Sequence, residues 1–106
     1  MSENGLAPRG DGVFEISGSL TFQTVPRFQD QADSLLRGNA QSVTIDMQGV
    51  TLADSAGLAL MIEWLQMARA AKRELVFAHI PEQMRDLIRV NGLQQMFSLE
   101  NGQNNK

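Results

Sequence analysis

Residues 42–69 read SVTIDMQGVTLADSAGLALMIEWLQMAR, and this stretch decides the fold. Ser42 to Met47 alternates between polar and apolar side chains and includes β-branched residues, which is typical of a half-buried strand. Gln48 to Ala53 follows and is predicted to be a loop. Apolar residues then recur at helical spacing from Ser55 to about Ala71, which predicts a helix. The stretch therefore predicts a strand, a loop and a helix in that order.

The segments on either side continue this alternation. Upstream, the sequence predicts a short strand from Val13 that Gly18 ends, then one helix with Thr24 as N-cap and a stop at 38–39. Downstream, Glu74 to His79 is predicted to be a third strand, and Pro81 to open a third helix that ends at 91–92. Residues 93–99 are predicted to form a last short strand or turn.

Alternating strands and helices predict an α/β fold with a small, mostly parallel mixed sheet and helices mainly on one face. The length of 106 residues suits one domain. We expect a single domain over residues 1–106 with an ordered core at about 12–100. The Gly-, Asn- and Gln-rich ends, residues 1 to about 11 and 101–106, are expected to fray.

Composition excludes several functions. The net charge is −3 and no basic run stands out, which argues against nucleic acid or anionic lipid as the main partner. There is no cysteine and only one histidine, so neither a thiolate site nor a metal or cofactor site is predicted. The N-terminus lacks the pattern of a signal peptide, and no segment is long and apolar enough to span a membrane. We therefore predict a soluble cytoplasmic protein.

The predicted helix after Asp54 is apolar on two sides. One stripe is the expected core face, formed by Leu58, Met61, Ile62, Leu65 and Ala68. A second stripe on roughly the opposite side consists of Leu60, Trp64, Met67 and Ala71. This second stripe either packs sideways against neighbouring helices or docks a partner, with Trp64 and Met67 as anchors. We favour docking, because a small domain offers little to cover both sides.

The loop Asp54-Ser55-Ala56-Gly57 begins this helix. Asp54 or Ser55 can cap the helix, and Ser55 can also be phosphorylated, which would add negative charge beside Asp54. Ala56 and Gly57 are small, so the backbone of a partner could approach closely.

A catalytic role has weaker support. Asp46 and Asp54 both lie near the carboxyl end of the middle strand, so an acid/base pair is conceivable. However, no set of nucleophile and base accompanies them, and His79 is best interpreted as an exposed residue at a strand end. Gly-rich phosphate motifs are absent. We therefore predict that the protein is not an enzyme.

The Asp-Ser-Ala-Gly-Leu junction and the later run KRELVFAHIPEQMRDLIRVNGLQQMF, residues 72–97, together resemble the STAS domain, the fold of bacterial anti-sigma-factor antagonists. The matching positions are Asp46, Asp54, Ser55, Gly57, Leu58, Pro81, Gly92, Leu93 and Phe97. In the antagonists, a serine at the position of Ser55 is phosphorylated by an anti-sigma kinase, and this switches partner binding.

The resemblance extends to a second branch of the family, MlaB. There, the STAS domain is a cytoplasmic subunit of an ABC transporter that moves phospholipids and maintains outer-membrane lipid asymmetry. The apolar helix with its Trp looks more like this branch. It implies an MlaF-like ATPase subunit as the partner, indirect contact with the permease at the inner membrane, and no direct membrane insertion. The expected contact residues are Asp54, Ser55, Ala56, Gly57, Leu60, Trp64 and Met67. The antagonist, with an anti-sigma kinase as its partner, stays the alternative.

Overall fold

The computed structural model describes residues 5–38 and 40–99, which form four strands and four helices. The strands are β1 (Gly5–Gly10), β2 (Val13–Leu20), β3 (Ser42–Ala53) and β4 (Glu74–Ala78). The helices are α1 (Val25–Gln29), α2 (Ala32–Leu35), α3 (Ser55–Ala70) and α4 (Glu82–Val90).

The strands form one mixed sheet in the order β1-β2-β3-β4. The outer pair β1–β2 is antiparallel, whereas β2–β3 and β3–β4 are parallel. A parallel pair needs a crossover, and α3 supplies it between β3 and β4. The predicted α/β class with a mostly parallel mixed sheet is confirmed.

The N-terminal strand β1 was not predicted. Residues 5–10 pair with β2, so the expectation that residues up to about 11 fray is wrong for this part. The two-residue turn Asp11-Gly12 joins the strands, with φ of 56° and 79°. Two positive φ angles in an Asp-Gly pair are typical of a type I′ hairpin turn. Residues 1–4 and 101–106, where fraying was also expected, lie outside the described residues.

Strand β3 is longer than predicted. It runs on through the expected loop at 48–53, and Ala53 still pairs with Leu20 of β2. Gly49 is required at a close approach of the two strands, because a Cβ at this position would lie 2.9 Å from the Cβ of Ser17. The register shifts beside this contact. Gly49, which lies inside the predicted loop, therefore marks a strand irregularity.

The first predicted helix is two short helices instead, α1 and α2. The chain turns between them, where the amide of Gln31 bonds to the carbonyl of Phe28. Thr24 occupies the N-cap position of α1, but its hydroxyl does not cap the helix and donates to the carbonyl of Ser19 at 2.7 Å. Helices α3 and α4 lie where the sequence predicted them, and residues 93–99 form turns.

The core lies between the sheet and the helices. On β3, Val43, Ile45 and Met47 are buried in one cluster with residues of all four helices. The side chains between them face away, and on the edge strand β4 the neighbouring Val76 is exposed. Helices thus cover mainly one face of the sheet, as predicted.

Candidate functional site

The second apolar stripe of α3 is not a free surface. Leu60 is 1% exposed and Trp64 is 2% exposed, so the prediction that they form a docking face is wrong. Trp64 and the half-buried Met67 lie beside Leu35 and Leu36, at the end of α2, and Leu75 of β4. The short helices and the edge strand close over this side of α3. Sideways packing, the other interpretation of this stripe, is therefore correct for Leu60 and Trp64.

Asp54 begins α3 as its N-cap. Its Oδ1 accepts the amides of Ala56 at 2.9 Å and Gly57 at 3.3 Å, and its extended backbone is typical of a cap. Ser55 is the first helical residue, and its side chain is exposed. Within residues 5–38 and 40–99 its hydroxyl makes no hydrogen bond. Of the two possible caps, Asp54 therefore caps α3, and the hydroxyl of Ser55 is accessible.

Gly57 serves the fold rather than an incoming chain. It is buried, and a Cβ at this position would lie 2.4 Å from the carbonyl oxygen of Leu20. The backbone that approaches Gly57 closely is thus the end of β2. The expectation that a partner's backbone approaches here is wrong for Gly57, while Ala56 stays half-exposed.

Two exposed apolar residues near Asp54 were missed in the sequence. Phe22 is 70% exposed, and its amide donates to Oδ2 of Asp54 at 3.2 Å. Leu52, two residues before Asp54 on β3, is 51% exposed. A bulky aromatic residue between polar neighbours in a strand–helix turn was the available signal. We call Phe22, Leu52, Asp54, Ser55 and Ala56 the junction surface.

Asp46 occupies a separate polar cluster on the face of the sheet without helices. Its Oδ1 accepts the amide of Gln48 at 2.9 Å and lies 2.9 Å from Nδ1 of His79. Its Oδ2 accepts from Arg9 at 3.0 Å, and Arg9 also pairs with Glu15 at 2.8 Å. His79, interpreted as an exposed residue at a strand end, is exposed and also contacts Asp46.

These contacts determine the charge state of Asp46. The amide of Gln48 is the largest cause that lowers the pKa of Asp46, and the hydrogen bond with His79 is the second. Burial opposes them, and the electrostatic interactions with His79 and Arg9 lower the pKa of Asp46 further. Asp46 is thus held as a carboxylate whose oxygens are already occupied.

The structure does not bring Asp46 and Asp54 together as an acid/base pair. Each binds its own set of donors, one on the open sheet face and the other at the start of α3. In the part of the chain that is described, no group of three His, Asp or Glu side chains could hold a metal ion. None of the described helices is long and apolar enough to cross a bilayer.

Comparison with known proteins places this architecture. A family model described as "Mlab, STAS domain" matches residues 7–99. The chain belongs to the STAS domain family. This STAS domain is similar to the anti-sigma-B factor antagonist of Staphylococcus aureus, at 20% identity over 88 residues, covering 83% of this chain and 82% of the relative.

Solved structures show the same STAS fold. The unphosphorylated anti-sigma factor antagonist SpoIIAA superimposes with a TM-score of 0.61 at 15% identity, covering 80% of each chain. The phosphorylated form of SpoIIAA from Bacillus gives 0.64 at 16% identity, covering 86% of this chain and 85% of that one. A sulfate transporter family protein from Wolinella succinogenes gives 0.67 at 15% identity, covering 88% and 75%.

Proposed function

We propose that this STAS domain is a non-enzymatic cytoplasmic subunit that binds and supports the ATPase of a phospholipid-transport ABC complex, and so helps to maintain outer-membrane lipid asymmetry. In this proposal it contacts an MlaF-like ATPase subunit directly, and it reaches the permease at the inner membrane only through that subunit. The support from comparison is the description of the matching family model, which names Mlab.

The observation that carries the proposal is the junction surface. Phe22, with 70% of its surface exposed, lies beside the cap of α3, and Leu52 lies on the strand that leads into it. Exposed aromatic residues are enriched among the anchors of protein interfaces, where they fill pockets of the partner. Phe22 and Leu52 therefore replace Trp64 and Met67 as the proposed anchors, and the buried Leu60 and Trp64 leave the proposed contact. Asp54, Ser55 and Ala56 remain in the proposed contact, Gly57 leaves it, and Met67 lies outside the junction surface.

The proposed mechanism is positional. A STAS domain that binds the assembled, productive geometry of the ATPase more tightly than other geometries shifts the ATPase towards it. No chemistry by the STAS domain itself is needed, which agrees with the occupied carboxylates of Asp46 and Asp54.

The test is Phe22→Glu, made in the full chain and co-expressed with an MlaF-like ATPase subunit. The substitution places a charge in the proposed contact, so we expect at least a tenfold loss of affinity, equal to ~1.4 kcal/mol. Val90→Glu is the matched control, because Val90 is an apolar residue of α4 that is 83% exposed and outside the junction surface. If Phe22→Glu folds and co-purifies with the ATPase at the wild-type yield, the proposal is wrong.

One observation favours a second function, that of an anti-sigma factor antagonist regulated by phosphorylation of Ser55. The side chain of Ser55 is exposed, and the cap of α3 does not depend on it. Phosphorylation there would add about −1.5 to −2 charges beside Asp54 and would alter an apolar contact at Phe22. Incubation with an anti-sigma kinase and ATP, followed by intact-mass measurement, separates the two functions. A gain of one phosphate on the wild type but not on Ser55→Ala would favour the antagonist, and no gain would count against it.

A further inference from the structure

A groove of about 460 Å³ lies at the end of α3 that is distant from Ser55. Three cationic side chains line it, Arg69 on α3 and Lys72 and Arg73 in the turn that follows. Leu65, the exposed Val76 and the exposed Met96 add apolar surface. We call this the basic groove.

The cations of the basic groove make no ion pair in the part of the chain that the structure describes. Among the described residues, the ion pairs involve other side chains, and none includes Arg69, Lys72 or Arg73. Of the residues that the structure describes, Glu74 is the single acidic one lining the groove. Nη1 of Arg73 is buried and has no hydrogen-bond acceptor in the described part of the chain. A buried donor is normally hydrogen-bonded, so this atom is an exception among the described residues. Arg73 also lines a second cavity beside Gly12 and Val43, so Arg69 and Lys72 are the cations that the groove exposes most. A local excess of positive charge is notable in a protein whose net charge is −3.

The turn that carries Lys72 and Arg73 has a defined backbone geometry. The amide of Lys72 bonds to the carbonyl of Arg69, and that of Arg73 bonds to Ala68 at 2.9 Å, which is the pattern of a Schellman motif. Lys72 occupies the left-handed position of this motif with φ of 60°, where glycine is the favoured residue. Replacing Lys72 by glycine is therefore expected to leave the turn intact.

The basic groove borders an unpaired edge of the sheet. Among the described strands, β4 is the last and pairs only with β3. The amide of Glu74 donates towards β3, to the carbonyl of Gln41. Because successive residues of a strand point their backbone groups to opposite sides, the N–H and C=O groups of Leu75 and Phe77 face the free edge. Such an edge is a template for an added strand.

We propose that the basic groove and the edge of β4 bind an extended acidic segment of a partner protein. The backbone of the segment pairs with Leu75 and Phe77, its carboxylates pair with the three cations, and its apolar side chains contact Val76 and Met96. A second copy of this chain is disfavoured, because pairing of β4 with β4 would bring two sets of like charges together. This surface is distinct from the junction surface, so it does not depend on the proposed function.

The experiment titrates the ¹⁵N-labelled protein with the capped peptide Asp-Val-Glu-Leu-Asp-Val-Glu and records amide chemical shifts. We expect shifts centred on Leu75, Phe77 and Met96, with affinity falling at least tenfold between about 50 and about 300 mM salt. A peptide with lysine in place of each acidic residue is expected to give no such shifts. Phe22→Glu is expected to bind the acidic peptide as the wild type does.

Lys72→Gly is the decisive variant. It relieves the left-handed strain, so the protein is expected to be as stable as the wild type or more stable, yet to bind the peptide several-fold more weakly. A purely structural role of Lys72 would not weaken binding. The proposal is overturned if Lys72→Gly binds with wild-type affinity, if the shifts map elsewhere, or if the lysine peptide binds equally well. The proposal is also overturned if the acidic peptide gives no shifts. If the protein then sediments with vesicles of phosphatidylcholine and phosphatidylglycerol, the groove is assigned to lipid instead.

Discussion

Substituting Gly57 by alanine tests how α3 is seated on the sheet. A Cβ at Gly57 would lie 2.4 Å from the carbonyl oxygen of Leu20 and 2.9 Å from Cγ of the same residue. An unstrained contact needs roughly 3.5 Å, so the helix and strand must separate by about 1 Å. The same carbonyl accepts the amide of Asp54 at 3.2 Å, and the separation would stretch this bond as well.

The expected effect has two opposing parts. Overpacking costs typically ~1–3 kcal/mol, and here it acts on backbone rather than on a flexible side chain. Alanine is the better helix former by up to ~1 kcal/mol at an interior position, although Gly57 is near the helix start and gains less. The first part is larger, so Gly57→Ala is expected to reduce the free energy of unfolding by about 2 kcal/mol.

Urea titration followed by the fluorescence of Trp64 measures this change, because Trp64 is the only Trp and is 2% exposed in the folded state. A loss of ~2 kcal/mol lowers the midpoint by about 1 M. Gly38→Ala is the matched control, because a Cβ there meets nothing within 4 Å. We expect it to stay within ~0.5 kcal/mol of the wild type. If Gly57→Ala were as stable as the wild type, the close seating of α3 on β2 would be refuted.

Two further predictions concern the carboxylates. Asp54→Ala is expected to lower the free energy of unfolding by ~1–2 kcal/mol and Ser55→Ala by less than ~0.5 kcal/mol, because Asp54 alone caps α3. Thermal unfolding measures both changes, and a larger loss for Ser55→Ala would show that its hydroxyl is the cap. The lowered pKa of Asp46 means that its ionised form stabilises the fold above its unfolded pKa of about 4, and that this contribution is lost as the pH falls through the lower, folded pKa. Asp46→Asn should therefore be less stable at pH 7 by about 1–3 kcal/mol and lose less stability on acidification, measured by urea titration between pH 7 and 2; an acid profile identical to the wild type would contradict this.

The sequence predicted the centre of the fold well. Alternation around Val43 and helical spacing after Asp54 reflect which side chains must leave water, and the structure has a strand and a helix at both places. The sequence predicted the N-terminal hairpin and the end of β3 less well. The Asp11-Gly12 turn was a usable hairpin signal that was attributed to a flexible terminus, and Gly49 was interpreted as a loop although it serves a close contact of strands.

The candidate site shows a different limit of sequence patterns. The sequence correctly predicts that α3 is apolar on two sides. However, the pattern indicates only that Trp64 must be buried, and it does not indicate which residues cover it. The residues that cover this side, Leu35 and Leu36, come from α2 and the turn after it, a segment that was predicted as part of one longer helix. Periodicity does not identify Phe22, because it is a single residue in a turn. Its exposure depends on tertiary packing alone.

One carboxylate ties the exposed ring of Phe22 to the beginning of α3. Oδ1 of Asp54 holds two helix amides while Oδ2 holds the amide of Phe22. A displacement of the Asp54 side chain that breaks its hydrogen bonds with the helix amides would therefore also weaken its hydrogen bond with Phe22. A modification of the Ser55 hydroxyl that moves Asp54 would therefore change how a protein bound to the ring of Phe22 is held. This effect would pass through one side chain and would need no rearrangement of the sheet.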